Sequence, residues 1–228
     1  MRTLLAPGPL LTGSIRIEGD EAHHGRSVLR LEVNDRVRIA DGAGWAVEAV
    51  ITEVGRHHLT CAAETPVAVV DGPASLLTVA LAPPKGDRFA DTVRGLTELG
   101  VGTIQPLITH RGERLPSSFD RLERIAAEAL KQCRRGCLPR IAQPLTLPAL
   151  AAQGPACIVL DPAGTPAAPG RPAPVTLVIG PEGGLTTEEV ALLRSAGAGL
   201  VRLARPILRI ETAALAAAAV WASAWEHP

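Results

Sequence analysis

Residues 175–189 read VTLVIGPEGGLTTEE, and this stretch decides the fold of the C-terminal part of the chain. VTLVIG is an almost continuous apolar run, which is typical of a strand buried on both faces of a sheet. GPEGG at 180–184 brings glycines that let the backbone approach a ligand closely. Thr186 and Glu189 form a capping box, which predicts a helix over 188–196. This order predicts a ligand loop at the carboxyl end of a parallel strand.

Two known phosphate-binding motifs do not fit this loop. No Gly-Lys-Ser/Thr follows it, and no G-x-G-x-x-G opens a helix, so it is neither a P-loop nor a dinucleotide fingerprint. A purely structural interpretation, in which the glycines only turn the chain, stays open at this point.

Apolar runs and helical segments alternate on both sides of this stretch. The alternation predicts an α/β domain with a parallel sheet and helices on both faces. Residues 139–174 are rich in Pro, Ala and Gly, and we expect mostly loop there around one strand. The other expected strands are SLLTVALA (75–82), VGTIQPLI (101–108), ACIVLD (156–161) and GLVRLA (199–204), and the other expected helices are 87–99, 119–135 and 211–225.

The first 64 residues show a different pattern. Short alternating apolar runs predict β-strands, with a short helix or turn in 21–31. Gly42 and Gly44 fall between two of the runs and favour a hairpin. Turn residues at 66–75 place a domain boundary near residue 72. We expect a small β-barrel at 1–72 and the α/β domain at 73–228.

Composition limits the possible function classes. The chain has 228 residues, with 23 basic and 23 acidic side chains, so it is not a uniformly basic nucleic-acid binder. Tyrosine is absent and phenylalanine occurs twice, which excludes an RNA-recognition sheet that stacks bases on aromatic rings. Any RNA must therefore meet a local basic patch.

The chain also lacks targeting and metal signals. MRTLLAPGPL at the start has no long apolar region, so we expect no secretory signal and a cytoplasmic protein. The apolar segment 207–225 contains Arg209 and Glu211 and is rich in alanine, which favours a buried helix over a membrane span. The four cysteines form no CxxC pair, so we expect free thiols and no bound metal.

Five stretches, in order along the chain, resemble the RsmE family of 16S ribosomal RNA uridine N3-methyltransferases, a branch of the SPOUT knotted methyltransferases. Three of them are TELGVGTIQPLIT (97–109), VIGPEGGLTTEE (178–189) and ILRIETAAL (207–215). EAHHGRSVLRLEVNDRV (21–37) is similar to the family's PUA-like barrel, and EALKQCRRGCLPRI (128–141) to a helix with an E-A-x-x-Q-x-x-R pattern. Ala204 and Pro206 depart from the family pattern.

The resemblance implies a SPOUT-type trefoil-knotted parallel-sheet domain preceded by a small PUA-like β-barrel. It also implies that the C-terminal domain binds S-adenosylmethionine and forms a homodimer. The helix 211–225 would lie near that interface, with Trp221 and Trp225 as anchors, or it would pack on the domain's own sheet. The implied cofactor residues lie in three loops and are Leu160, Asp161, Pro162, Gly180, Pro181, Glu182, Gly183, Gly184, Leu203, Ile207, Leu208 and Thr212.

The implied reaction attacks a sulfonium methyl group with N3 of an unpaired uridine in 16S ribosomal RNA. Arg209 is the candidate catalytic residue, because a cation could stabilise negative charge that develops on the uracil oxygens. A structural role for Arg209 is an equal alternative. Glu182 and Glu211 are expected at helix starts, where a carboxylate caps the helix rather than acting as a base.

Basic residues suggest where the RNA is held. Residues 111–140 contain eight basic and four acidic side chains. A solvated face explains any one of them equally well, but the cluster together with the PUA-like resemblance favours contact with RNA phosphates. The candidates are Arg2, Arg26, Arg30, Lys131, Arg134 and Arg135.

Two other functions stay open from the sequence. One is a SPOUT methyltransferase that acts on another RNA position. The other is a non-catalytic RNA-binding or assembly factor with a vestigial cofactor site. Binding of S-adenosylmethionine distinguishes the second from both enzymes.

Overall fold

The computed structural model describes residues 1–112, 115–116, 118–153 and 156–226. Within it the chain packs into two compact units. The first comprises residues 1–71 and 127–138, and the second comprises residues 72–126 and 139–228 apart from the undescribed positions. Residues 127–138, which were expected in the C-terminal domain, pack in the first unit.

The first unit is built on a six-stranded sheet with the order β1-β3-β4-β5-β2, and β6 pairs with β4. β1 runs parallel to β3, and the other pairings are antiparallel. The hairpin expected around Gly42 and Gly44 joins β3 to β4. The elements are β1 (Arg2–Leu5), β2 (Gly13–Glu18), α1 (Gly19–Ser27), β3 (Arg36–Ala40), β4 (Trp45–Val54), β5 (His58–Ala63) and β6 (Val67–Ala68).

Alternate residues of these strands fill the core of the first unit. Ile39 and Ile51 are fully buried, as is Cys61, and they pack with Leu4 and Leu59. This period of two is the pattern that predicted strands in this half of the chain.

Helix α3 (Phe119–Cys133) begins in the second unit, and its residues from Ala127 onward belong to the first. The turn after α3 is bonded to the β3–β4 hairpin. Gly44 N donates to Gly136 O at 3.1 Å, and Leu138 N donates to Gly42 O at 2.8 Å. These long-range backbone bonds explain why residues 127–138 pack with the first unit.

The second unit contains a seven-stranded sheet in which every pairing is parallel. The order is β10-β8-β7-β12-β11-β13, and β9 also pairs with β8. A 3-10 turn (Pro73–Leu76) precedes the sheet. The remaining elements are β7 (Leu77–Leu81), α2 (Arg88–Glu98), β8 (Thr103–Ile108), β9 (Arg140–Ile141), β10 (Leu145–Thr146), α4 (Leu147–Ala152), β11 (Ala156–Pro166), β12 (Val175–Ile179), α5 (Thr187–Ser195), β13 (Gly199–Arg202) and α6 (Ile210–Glu226).

Helices cover both faces of this sheet, as the alternation predicted. Val79 and Leu81 of β7 share a core with buried residues of α2 and α6. Ala80 lies in a second core with Leu147 and Leu193, which belong to α4 and α5. Strands buried on both faces read as the continuous apolar runs seen in the sequence.

Two sequence expectations are wrong. Residues 139–174 are not mostly loop, because β9 and β10 pair with β8, α4 follows, and β11 continues to Pro166. Trp221 and Trp225 do not anchor a subunit interface, since they are 2% and 4% exposed within the chain's own core. Trp225 Nε1 donates to the Gly170 carbonyl at 2.8 Å.

Among the described residues, no helix is both long and apolar enough to cross a membrane.

Candidate functional site

Three neighbouring strands of the second unit reach the same level at Leu160, Ile179 and Val201. Leu160 of β11 is paired with Ile179 of β12 and also with Val201 of β13. Because these strands are parallel, the loops that follow them meet at one edge of the sheet. This register brings together three segments that lie about twenty residues apart in the sequence.

The loop after β12 contains the glycines singled out in the sequence. Gly184 has a φ of +71°, a conformation that favours glycine, and its N–H donates to the Pro181 carbonyl at 2.8 Å. A Cβ atom on Gly180 would lie 2.9 Å from Leu185 Cγ. These glycines therefore allow a tight turn after β12.

The loop after Leu160 is an excursion within β11 that the sequence did not reveal. Leu160 and Thr165 both pair with Val201, so residues 161–164 bulge out of the strand. The Asp161 carboxylate accepts a hydrogen bond from Ala163 N at 2.8 Å. A Cβ atom on Gly164 would lie 2.5 Å from Val201 N, so glycine is needed where the bulge returns to β13.

These three loops surround a pocket, called here the first pocket. Its wall contains apolar side chains such as Ile179, together with two carboxylates, Asp161 and Glu182. Gly183 lies outside it on a neighbouring cavity, and Thr212 is an exposed residue of α6. The predicted cofactor residues that line it are Leu160, Asp161, Pro162, Gly180, Pro181, Glu182, Gly184, Leu203, Ile207 and Leu208.

The capping box predicted at the start of α5 is confirmed. Thr186 Oγ1 accepts from Glu189 N at 3.2 Å, and Glu189 Oε2 accepts from Thr186 N at 2.7 Å. The other oxygen of Glu189 accepts from His110 N at 2.7 Å, which ties the loop after β8 to this helix. Hydrogen bonds from its own backbone N–H and from Thr186 lower the pKa of the neighbouring Glu188 carboxyl.

Arg88, at the start of α2, joins two carboxylates of the site. Its Nη1 lies 3.1 Å from Glu182 Oε1 and 3.6 Å from Glu211 Oε1, and its Nε donates to the Lys85 carbonyl at 3.2 Å. Arg88 could not be singled out from the sequence, because 94 positions separate it from Glu182 and no local pattern links them.

The expectation that Glu182 and Glu211 lie at helix starts is wrong for Glu182 and confirmed for Glu211. Glu182 lies in the glycine loop, five residues before α5 begins, and pairs with Arg88. Glu211 lies in the first turn of α6 but also faces Arg88. Its second oxygen, Oε2, is buried and has no hydrogen-bond partner among the described residues. Both carboxylates are thus held by a cation within the site.

Arg209 immediately precedes α6, and its carbonyl accepts from Ala213 N at 2.8 Å. The residue is exposed and lies between Leu208, which lines the first pocket, and Ile210, which is buried. Within the described part of the chain its guanidinium has no hydrogen-bond or ion-pair partner, so no structural ion pair explains it.

Four of the six RNA candidates have accessible side chains in the first unit. Arg2, Arg30 and Arg134 are exposed, and Arg26 is half-buried with its Nη1 donating to the Arg56 carbonyl. Arg30 and Arg134 have φ values of +53° and +61°, which are unfavourable for a side chain with a Cβ atom.

The prediction that Lys131 and Arg135 contact RNA is corrected, because each residue is only 8% exposed. Lys131 Nζ lies 2.9 Å from Glu21 Oε2, and Arg135 Nη2 lies 3.0 Å from Asp71 Oδ2. A buried cation that is already paired with a carboxylate is not available to a phosphate. Both residues therefore stabilise the first unit rather than contact RNA.

The cysteines are free. Burial raises the pKa of the Cys61 thiol to about 11, and burial also raises the pKa values of Cys137 and Cys157. Thiols with raised pKa values are weak nucleophiles at neutral pH. In the described ranges no three His, Cys, Asp or Glu side chains are grouped so as to hold a metal ion.

Comparison with known proteins agrees with this geometry. A family model described as an RNA methyltransferase domain matches residues 72–222, and one described as an RNA methyltransferase PUA domain matches residues 17–64. Ribosomal RNA small subunit methyltransferase E of Synechocystis sp. is 32% identical over 225 residues, which are 93% of this chain and 74% of the relative. The enzyme of that name from Mycobacterium tuberculosis is 30% identical over 94% of this chain and 90% of its own.

A crystal structure of ribosomal RNA small subunit methyltransferase E from Neisseria gonorrhoeae, bound to S-adenosylmethionine, is similar over the whole chain. Its TM-score is 0.89 at 25% identity, and the match covers 99% of this chain and 98% of the other. The parallel sheet, the pocket at its carboxyl edge and these similarities lead to one conclusion: the chain belongs to the RNA methyltransferase family of ribosomal RNA small subunit methyltransferase E.

Proposed function

We propose that this protein transfers a methyl group from S-adenosylmethionine to N3 of a uridine in 16S ribosomal RNA. The main support for the proposal is the first pocket, which lies where the paired strands β11, β12 and β13 lead into their loops. Relatives named ribosomal RNA small subunit methyltransferase E match most of the chain. Their name supports ribosomal RNA of the small subunit as the substrate.

The residues of the first pocket fit S-adenosylmethionine chemically. Leu160, Leu203 and Leu208 offer apolar surface for an adenine ring. The carboxylates of Asp161 and Glu182 offer acceptors for ribose hydroxyls and for a positively charged amino group. Adding a Cβ atom to Gly180 would crowd Leu185, another lining residue, so the loop has no space for a larger residue.

When bound, S-adenosylmethionine supplies an electrophilic methyl group on a sulfonium. The chain's own residues must align N3 with that group and compensate the charge that appears as N3 loses its proton. Arg209 is proposed for this second task, since its exposed guanidinium lies beside the first pocket without a protein partner among the described residues.

RNA contact is proposed for the accessible arginines of the first unit, Arg2, Arg26, Arg30 and Arg134. Their charges would neutralise phosphates and release counterions. A homodimer formed through the second unit and the trefoil knot stay predictions that rest on the family resemblance, and a cytoplasmic location stays a prediction from the sequence. Light scattering at micromolar protein tests the first of these, and a monomer would contradict it.

Calorimetry and a transfer assay test the proposal together. The protein should bind S-adenosylmethionine and should transfer its methyl group to 16S ribosomal RNA, with N3-methyluridine as the product in nucleoside mass spectra. Absence of cofactor binding would favour the non-catalytic assembly factor. Methyl transfer to a different base or to a ribose would favour the other enzyme class.

A further inference from the structure

A second cavity adjoins the first pocket in the second unit. It is open to solvent and has a volume of about 200 Å³, far more than one water requires. Its lining combines two cations, one carboxylate and apolar ring surface. Its lining includes Pro83, Pro84, Lys85, Arg111, Glu182 and Ile210.

The parallel sheet explains why the two cavities are neighbours. β8, β7 and β12 are adjacent strands, and the residues of the second cavity follow their carboxyl ends or begin α6. The loop after β12 is shared, so Pro181 and Glu182 line both cavities, as does Ile210. A ligand in the second cavity would therefore contact the same carboxylate as a ligand in the first pocket.

Hydrogen bonds hold the wall of the second cavity in place. Arg88 bonds to Glu182 and to the backbone carbonyl of Lys85, which joins the β7 loop to the β12 loop. Arg111 Nη1 donates to the Gly183 carbonyl at 2.7 Å, which joins the β8 loop to the same glycines. Fixed donors and acceptors of this kind suit a site that must orient a small planar group.

We propose that the second cavity receives the target uracil, an inference that rests on the proposed methyl transfer. Uracil presents two carbonyl oxygens on either side of the N3–H donor. Lys85 and Arg111 supply cationic donors for the oxygens, and Glu182 supplies an acceptor for N3–H. Pro83 and Pro84 provide apolar contact for the ring. Glu182 lies on the boundary with the first pocket, where N3 must meet the methyl group.

The chemical step balances with these groups. The N3–H proton passes to the Glu182 carboxylate, which is half exposed and can release it to water. The N3 electron pair forms the bond to the methyl carbon, and the carbon–sulfur bond breaks with its electron pair kept by sulfur. N3-methyluridine and S-adenosylhomocysteine result. Together with Arg209, Lys85 and Arg111 stabilise the negative charge that spreads to the uracil oxygens as the proton leaves.

Two variants test this assignment, with single-turnover transfer to 16S ribosomal RNA measured at saturating S-adenosylmethionine. Glu182→Gln should lower the rate about a hundredfold, because the internal proton acceptor is lost. Its rate should then rise about tenfold per pH unit, as hydroxide must remove the proton, whereas the parent rate should change much less with pH. A merely structural role for Glu182 would not produce that pH profile.

Lys85→Met tests the oxygen contact by binding as well as by rate. With S-adenosylhomocysteine present, it should weaken binding of uridine 5′-monophosphate about tenfold in calorimetry. Its affinity for S-adenosylmethionine should stay near that of the parent, because Lys85 does not line the first pocket. Arg171→Ala is the matched control for loss of an exposed cation, since Arg171 precedes the amino end of β12 at the opposite edge of the sheet.

The possible results separate two failures. If the parent protein transfers no methyl group to 16S ribosomal RNA, the proposed function fails and this inference fails with it. If the parent transfers the methyl group while both variants keep its rate, pH profile and nucleotide affinity, the function stands and the second cavity is not the uracil site.

Discussion

Replacing Arg135 and its neighbour Arg134 separately should give opposite effects on stability, although both were RNA candidates in the sequence. Arg135 Nη2 lies 3.0 Å from Asp71 Oδ2, and each side chain is 8% exposed. Asp71 also accepts from Gly136 N at 2.9 Å and from Cys137 N at 3.2 Å. Arg135→Ala leaves this buried carboxylate without its cation, which should cost about 3 to 5 kcal/mol.

Arg134→Gly should be neutral or stabilising. A non-glycine residue in the left-handed region costs about 1 to 2 kcal/mol, while glycine loses about 0.5 to 1 kcal/mol of backbone entropy, so the net gain lies between zero and about 1.5 kcal/mol. Burial, and next the positive charge of Arg134, lower the pKa of Arg38, so removing that charge also relieves a repulsion. RNA binding should weaken and its salt dependence should flatten.

Urea unfolding and salt-dependent RNA titration measure these two effects. Hydrogen exchange should show that the loss of stability in Arg135→Ala is confined to residues 1–71 and 127–138. In a double-mutant cycle, Asp71→Asn should make the further loss from Arg135→Ala much smaller. The reasoning is refuted if Arg135→Ala unfolds like the parent and loses RNA affinity, because Arg135 would then be an RNA contact.

Three further predictions concern the pocket, the helix cap and a buried thiol. Gly180→Ala places a Cβ atom 2.9 Å from Leu185 Cγ and should weaken S-adenosylmethionine binding at least about tenfold, or 1.4 kcal/mol, in calorimetry. Gly170→Ala is the control and should bind the cofactor normally, because a Cβ atom on Gly170 would have no neighbouring atom within 4 Å. Glu189→Ala removes the bonds to Thr186 N and His110 N and should cost about 1 to 2 kcal/mol in thermal unfolding, clearly more than Glu188→Ala. The pKa of the Cys61 thiol is raised to about 11, so the unfolded chain loses the thiol proton at a lower pH than the folded chain. The free energy of unfolding should therefore fall by about 2 to 3 kcal/mol between about pH 8.5 and 11. In Cys61→Ala most of this dependence on pH should disappear.

Local patterns in the sequence predicted the elements that carry the first pocket. The apolar run of β12, the glycine loop and the capping box at Thr186 each depend on residues within a few positions of one another. The grouping of Leu160, Gly180 and Leu203 came from the family resemblance, and it agrees with the rule that the carboxyl ends of parallel strands share an edge.

Features that depend on distant partners could not be predicted. β9 and β10 have two residues each and exist only because β8 offers an edge to pair with. Charge identified Lys131 and Arg135 as RNA candidates, but only the packing of residues 127–138 shows that Glu21 and Asp71 already neutralise them. Nothing in the local sequence distinguishes Arg88 from the other arginines, because its partners Glu182 and Glu211 are brought near it only by the fold.

Nucleoside mass spectrometry of 16S ribosomal RNA from a strain that lacks this gene tests whether this protein forms N3-methyluridine. We expect N3-methyluridine to be missing from that RNA and to return when the gene is restored. Restoration with the Gly180→Ala variant should return less of it. If N3-methyluridine is present at the parent level in the strain without the gene, this protein is not the enzyme that forms it.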